Sequence, residues 1–95
     1  MPRVIYSPEA ERDLSGIVEH IAEDNPAAAR RWLQRMCEAC EVLASQPEVG
    51  ELRPDFGVAG CRSFSVGNHV IFFRSADGGI EVARVVQGRR DMTNF

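Results

Sequence analysis

The chain has 95 residues, of which 44% are hydrophobic and 26% charged, and its formal net charge at pH 7 is −3. This length and composition predict one globular domain over residues 1–95 and exclude a disordered chain, a repetitive fibre and a separate cofactor-binding domain. The overall acidity argues against direct binding of nucleic acid. Residues 1–59 hold eleven acids and six arginines, whereas residues 60–95 hold three acids and five arginines. We therefore expect any anion-binding surface in the C-terminal part.

The first predicted elements are a short strand and two helices. A β-prone run at residues 3–7 ends where the Ser-Pro pair at 7–8 gives a helix N-cap followed by proline at the first helical position. Apolar spacing extends this helix to about residue 24, and the Asn-Pro pair at 25–26 starts a second helix over residues 26–45. Because the helices are almost contiguous, they should form an antiparallel hairpin.

Three further strands follow a predicted loop over residues 47–60. Alternation of apolar and polar residues predicts strands at 61–66, 69–74 and 80–87, joined by tight turns. The predicted fold class is α+β, with the order β-α-α-β-β-β. The helical hairpin should pack on a twisted antiparallel sheet.

The turn at residues 67–68 determines which side chains of the first hairpin share a face. A two-residue turn there places Phe64 opposite Ile71, on the face that should meet the helices. The loop at 75–79 is compatible with more than one length. The register of the last strand therefore stays open, and Arg84 is not assigned to a face.

The three cysteines predict a structural role rather than a redox or metal site. Cys37 and Cys40 form a C-x-x-C in the middle of the second helix, with no second pair or nearby histidine to complete a zinc site. We expect no metal and no cofactor. The odd cysteine count and the lack of an apolar signal region predict a cytoplasmic protein, and no apolar run is long enough for a membrane span.

Four local motifs, in order along the chain, resemble the ParE branch of the RelE/ParE toxin superfamily. Residues 7–14 (SPEAERDL) are similar to the family opening S-P-x-A-x-x-D-L, and residues 84–91 (RVVQGRRD) to its closing R-V-x-H-G-R-R-D, with Gln87 in place of the histidine. Residues 21–29 are similar to its interhelical corner, and residues 62–67 and 71–74 are similar to its central hairpin. The resemblance implies the toxin component of a type II toxin–antitoxin module. Such a toxin inhibits bacterial growth by poisoning DNA gyrase, and a ParD-like antitoxin neutralises it in a hetero-oligomer.

Two alternatives stay open: a RelE-like ribosome-dependent endoribonuclease, and a toxin fold that is not toxic and only binds an antitoxin. RNA cleavage of the RelE type needs a base, an acid and cations for the phosphate. RelE-like nucleases place basic residues on the central strands and a Tyr or His near the C-terminus. Here Val70 stands at one of those basic positions, and residues 92–95 contain no Tyr, His or Lys. We assign no catalytic residues, and the sequence favours a protein that acts by binding.

Candidate binding residues form two groups. Arginine suits bidentate contacts with carboxylates and phosphates, and a terminal aromatic can anchor an interface. The predicted target-contacting group is Arg62, Arg74, Arg84, Arg89, Arg90 and Phe95. Apolar side chains that a two-helix layer leaves uncovered suit an antitoxin, and this group is Leu14, Val18, Val70, Phe72, Ala83 and Val85. For Arg84 the resemblance also implies a buried structural ion pair.

Overall fold

A computed structural model describes residues 2–56 and 59–88, in which two helices pack on one face of a five-stranded sheet. The sheet order is β1-β5-β4-β3-β2. Two short 3₁₀ turns, Pro47–Val49 and Pro54–Phe56, flank β2. The elements in chain order are β1 (Arg3–Tyr6), α1 (Pro8–Asp24), α2 (Pro26–Ser45), β2 (Glu51–Leu52), β3 (Arg62–Val66), β4 (His69–Ala76) and β5 (Gly79–Gln87).

Both helices begin at the predicted caps. Ser7 Oγ accepts a hydrogen bond from the N–H of Ala10, and Asn25 Oδ1 accepts one from the N–H of Ala28, each at 3.0 Å. Asn25 also ends α1, because its own N–H donates to the carbonyl of Ile21. This single residue between the helices forces them into the predicted antiparallel hairpin. No helix in the described part of the chain combines the length and the apolar character that crossing a bilayer requires.

The core lies between the helical hairpin and one face of the sheet. Met36 and Leu43 of α2 are 1% exposed, and Ile71 and Phe73 of β4 are fully buried. Phe64 lies opposite Ile71 and packs against this core, which confirms the predicted register of the first hairpin. The α+β class and the face of the sheet that meets the helices are therefore as predicted.

The sheet departs from the prediction in two respects. β1 pairs with β5 in parallel, so the sheet is mixed rather than antiparallel throughout. No tight turn joins these two strands, and so nothing requires them to be antiparallel. In addition, two residues of the predicted loop at 47–60 form β2, which pairs antiparallel with β3.

A β-bulge between β4 and β5 settles the open register of the last strand. The connecting turn is short, and the pairing then runs regularly from Ala76 to Phe73, which lies opposite Val82. The next pair is Phe72 with Arg84, so Ala83 is the extra residue. Because a bulge reverses the alternation of side chains, strict alternation along the strand could not place Arg84.

Candidate functional site

A polar cluster joins the start of α1 to the C-terminal half of β5. β1 stops pairing with β5 at Val82, where the N–H of Ser7 donates to the Val82 carbonyl at 3.0 Å. Ser7 Oγ donates to the carbonyl of Ala83 at 2.8 Å. Further along α1, Asp13 Oδ2 accepts the N–H of Val85 at 2.9 Å. The Asp13 carboxylate therefore takes the place of a strand partner beyond the end of β1.

Arg84 completes this cluster with an ion pair to Asp13. Its Nε donates to Oδ2 at 2.7 Å, and a terminal NH2 group donates to Oδ1 at 3.1 Å. The hydrogen bonds and charge of Asp13 raise the pKa of Arg84. The Asp13 side chain is 17% exposed and that of Arg84 is 52% exposed. We call Ser7, Asp13 and Arg84 the α1–β5 junction.

An open groove of about 550 Å³ lies beside the junction, between α1 and the end of β5. Its α1 wall combines apolar and polar residues, and β4 and β5 also line it. The α1 residues are Arg12, Asp13, Gly16, Ile17, His20 and Ile21, and the strand residues include His69 and Val86. A Cβ added at Gly16 would meet no atom within 4 Å, so a larger side chain fits there without a clash. We call this cleft the α1–β5 groove.

The opposite face of the sheet, which carries neither α1 nor α2, holds a second and smaller apolar cluster. Cys61, Val70 and Phe72 are buried there, and Val86 packs against them. The guanidinium carbon of Arg53 lies 5.8 Å from the centroid of the Phe72 ring, within the range of a cation–π contact. Burial raises the pKa of the Cys61 thiol. We call this surface the helix-free face.

The other titratable side chains of interest lie on the helix side of the sheet. The rings of Trp32 and His69 meet edge to face, with centroids 5.1 Å apart, and burial lowers the pKa of His69. Burial also raises the pKa of Tyr6, and it raises the pKa of the Cys40 thiol to about 11. Cys40 therefore stays a protonated core thiol at neutral pH. Residues 2–56 and 59–88 contain no group of three or more His, Cys, Asp or Glu side chains that can hold a metal ion.

Comparison with known proteins identifies the family. The family model of the ParE toxin of the type II toxin–antitoxin system parDE matches residues 4–92, nearly the whole chain. This chain belongs to the ParE toxin family.

The relatives of this ParE family member match it over almost its full length. Toxin RelE2 of Caulobacter vibrioides is 32% identical over 91 residues, which cover 95% of this chain and 99% of the relative. Toxin ParE1 of Mycobacterium tuberculosis is 30% identical over 96 residues, which cover 95% and 93%. A solved structure of a chromosomal ParDE system from P. aeruginosa shares the fold, with a TM-score of 0.72 at 23% identity over 92% of this chain and 96% of that chain.

The motifs that carry the ParE resemblance meet at the α1–β5 junction. The opening motif supplies Ser7 and Asp13, and the closing motif supplies Arg84 and Val85. Gln87, which stands where the family motif has histidine, lines the α1–β5 groove. Two segments about seventy residues apart therefore form one interaction in this ParE chain.

Three of the predicted target-contacting arginines bond within the ParE fold. Arg62 donates to the carbonyl of Gly50 at 2.8 Å, and Arg74 pairs with Glu81 at 2.8 Å. Arg84 forms the ion pair that the resemblance implied, although its side chain is half-exposed rather than buried. The remaining three candidates, Arg89, Arg90 and Phe95, lie outside the described residues, and their role stays a prediction.

The predicted antitoxin-binding residues do not form one surface. Val70 and Phe72 belong to the helix-free face, whereas Val85 is 2% exposed in the core beneath the helices. The bulge at Ala83 separates them, because it turns the residues that follow it to the other side. On α1, Leu14 packs against the core and Val18 is half-buried.

Our sequence predictions missed a basic strip on the first half of α2. Arg31 and Arg35 are exposed on either side of the half-buried Trp32. The signal was present in the sequence, because residues 26–37 hold three arginines and no acid. It was lost when the charge was averaged over residues 1–59.

Proposed function

We propose that this chain is a ParE-type toxin that acts by binding DNA gyrase rather than by cleaving RNA. The observation that carries the proposal is the composition of the helix-free face. Its centre consists of Cys61, Val70, Phe72 and Val86. A RelE-like nuclease needs phosphate-binding cations on these central strands.

The charged groups around that face are already engaged. Arg74 and Arg84 each pair with a carboxylate at 2.7 to 2.8 Å, which leaves them poorly suited to neutralise a phosphate. An arginine also cannot serve as the base, because its pKa lies above ~12. His69 lies against Trp32 on the helix side. Within the described ranges, the geometry therefore favours a toxin that works through contact surfaces.

We also propose that a ParD-like antitoxin holds this chain through α1 and the α1–β5 groove. The groove has apolar walls at Ile17 and Ile21 and is open to solvent along Gly16. An antitoxin segment that buries these walls gains roughly 25 cal/mol for each Å² of apolar surface removed from water. The family membership of the chain supports a partner of this kind.

The proposed target is tested by inducing the chain in bacteria without an antitoxin. We expect growth to stop, DNA breaks to accumulate before any messenger RNA is cleaved, and supercoiling by purified gyrase to be inhibited. Co-expression of the product of the neighbouring open reading frame should restore growth and serves as the control. Codon-linked RNA cleavage ahead of DNA breaks would instead establish the nuclease alternative, and normal growth would establish a toxin fold without toxicity.

The proposed antitoxin groove is tested by filling it. Gly16→Leu adds a side chain where the groove is open, and it also replaces a poor helix former by a good one, so the toxin should stay folded. We expect the variant to lose at least about tenfold in affinity for the product of the neighbouring open reading frame. Ser15→Leu, one position away and exposed, is the matched control and should bind like the parent chain. Equal affinity of all three chains would place the antitoxin elsewhere.

A further inference from the structure

The first half of α2 carries a basic strip on its exposed side. Arg31 and Arg35 are four residues apart, so their side chains project from the same side of the helix, about 6 Å apart along its axis. Neither forms an ion pair with any residue in the described part of the chain. Like charges at this spacing repel each other and disfavour a helix. A carboxylate bound across the two guanidinium groups removes that repulsion.

A shallow cleft of about 400 Å³ follows this strip and gives it an apolar floor. Ala28 and Trp32 supply the apolar surface, and Glu38 lies at the far end. The Glu38 carboxylate accepts a hydrogen bond from Gln34 Nε2 at 3.2 Å and forms no ion pair with Arg35. The cleft therefore combines apolar contact surface with two unneutralised cations. We call it the α2 cleft.

The α2 cleft lies next to the α1–β5 groove. Trp32 lines the cleft, His69 lines the groove, and their rings are in contact. A terminal guanidinium nitrogen of Arg35 lies 3.3 Å from the point where a Cβ on Gly67 would be, so Arg35 reaches the turn between β3 and β4. A peptide that leaves the groove past His69 therefore meets Trp32 and then the two arginines.

We infer that the α2 cleft binds an acidic segment of the antitoxin. This inference rests on the proposed antitoxin and adds the chemistry of the segment. Carboxylates two apart in an extended peptide, or four apart in a helix, are separated by about 6–7 Å and match the spacing of Arg31 and Arg35. An apolar side chain of the same segment covers Ala28 and Trp32.

A nucleic acid fits this surface less well than a short acidic peptide. The neighbouring α1 carries six acids and one arginine. A DNA duplex carries one negative charge for every ~1.7 Å of its length, so a duplex laid across two arginines also faces repulsion from α1. The acidic part of a peptide is only a few residues long, so it can contact the arginines without extending along α1.

The test measures the affinity of the chain for the product of the neighbouring open reading frame at 50, 150 and 500 mM salt, roughly the range over which surface charges become screened. We expect Arg31→Glu and Arg35→Glu each to weaken binding about tenfold at low salt, and the difference to shrink at high salt. Arg30→Glu is the matched control: Arg30 is also exposed on α2 and makes the same charge change. Arg30 does not line the cleft, so the affinity of the Arg30→Glu variant should stay within about twofold of that of the parent chain.

The outcomes separate this inference from the proposed antitoxin itself. No binding by the parent chain overturns the proposed antitoxin, and the inference fails with it. Tight binding by the parent and by both cleft variants overturns the inference alone. A binding loss of equal size in all three variants also overturns it, because the effect is then one of overall charge. Loss of binding to a short duplex DNA probe, with unchanged affinity for the antitoxin, would assign the strip to nucleic acid instead.

Discussion

The arginines of the sheet and the arginines of α2 differ in what they contact. Arg62 donates to the backbone carbonyl of Gly50, and Arg84 donates to the Asp13 carboxylate, which also accepts a backbone N–H. Both arginines therefore connect segments that are separate in the sequence. Arg31 and Arg35 have no such partner among the described residues. The described arginines of the C-terminal part are therefore committed to the fold, whereas the acidic N-terminal part carries Arg31 and Arg35, two exposed cations that a partner can contact.

The strongest test of this comparison is Asp13→Ala. The change removes three hydrogen bonds and leaves the N–H of Val85 without an acceptor. We expect the free energy of unfolding to fall by about 3 kcal/mol, measured by urea denaturation. Asp13→Asn keeps an oxygen for the Val85 N–H and should lose less. A loss below about 0.5 kcal/mol for the alanine variant would mean that the junction is not structural.

A second test removes the bond between β3 and the segment before β2. Arg62→Ala leaves the carbonyl of Gly50 without its donor, in a part of the chain where Gly50 is buried against Phe73. We expect a loss of about 1.5 kcal/mol in the free energy of unfolding. An unchanged denaturation midpoint would show that water replaces the guanidinium, and Arg62 would then be free to contact a target.

A pH titration of stability probes the contact between His69 of the α1–β5 groove and Trp32 of the α2 cleft. Burial lowers the pKa of His69 in the folded chain below its ordinary value of 6.5. The unfolded chain therefore binds the proton more readily than the folded chain does. The free energy of unfolding is highest above pH 6.5 and falls as the pH drops through the folded-state pKa of His69. His69→Gln should flatten this dependence in thermal melts between pH 5 and 7.5, roughly the range in which histidine titrates. His20→Gln is the control and should leave the pH dependence of the thermal melts unchanged.

A small effect is expected for the exposed ion pair of the sheet. Arg74 pairs with Glu81, but its side chain is half-exposed, and solvent screens such pairs. Arg74→Ala should lower the free energy of unfolding by less than about 0.5 kcal/mol. A loss as large as that of Asp13→Ala would remove the distinction between a surface pair and the α1–β5 junction.

The smallest effect on stability is expected on α2. Arg31→Ala removes no hydrogen bond or ion pair to the residues that the structure describes, and alanine is a good helix former. The free energy of unfolding should therefore change by no more than about 0.3 kcal/mol. Its affinity for the antitoxin should nevertheless fall. A clear loss of stability in this variant would show that Arg31 supports the fold, as Arg62 and Arg84 do. It would contradict the distinction between the arginines of the sheet and those of α2.

Much of the fold follows from local signals in the sequence. The Ser-Pro and Asn-Pro pairs act as caps because their side chains satisfy free N–H groups wherever a helix starts. The register of the first hairpin follows from its two-residue turn. The parallel pairing of β1 with β5 and the bulge at Ala83 were not predictable in this way, because both depend on contacts between segments far apart in the chain.

The candidate site was less predictable than the fold. The resemblance implied the ion pair of Arg84, but its partner Asp13 is 71 residues away, and spacing alone does not connect them. Val85 was expected on an exposed patch, yet the bulge turns it into the core. The strip at Arg31 and Arg35 escaped notice because charge averaged over residues 1–59 conceals three arginines within six positions.

The position of β5 has a consequence for how the toxin appears during synthesis. β5 lies between β1 and β4, so β1 has no strand partner, and Asp13 no arginine to bind, until residues 79–87 have been made. A chain that stops before β5 therefore lacks the strand that joins β1 to β4, together with the buried residues Ile80, Val82 and Val85. We expect such a truncated chain not to fold cooperatively, so the α1–β5 junction forms only once β5 has been synthesised.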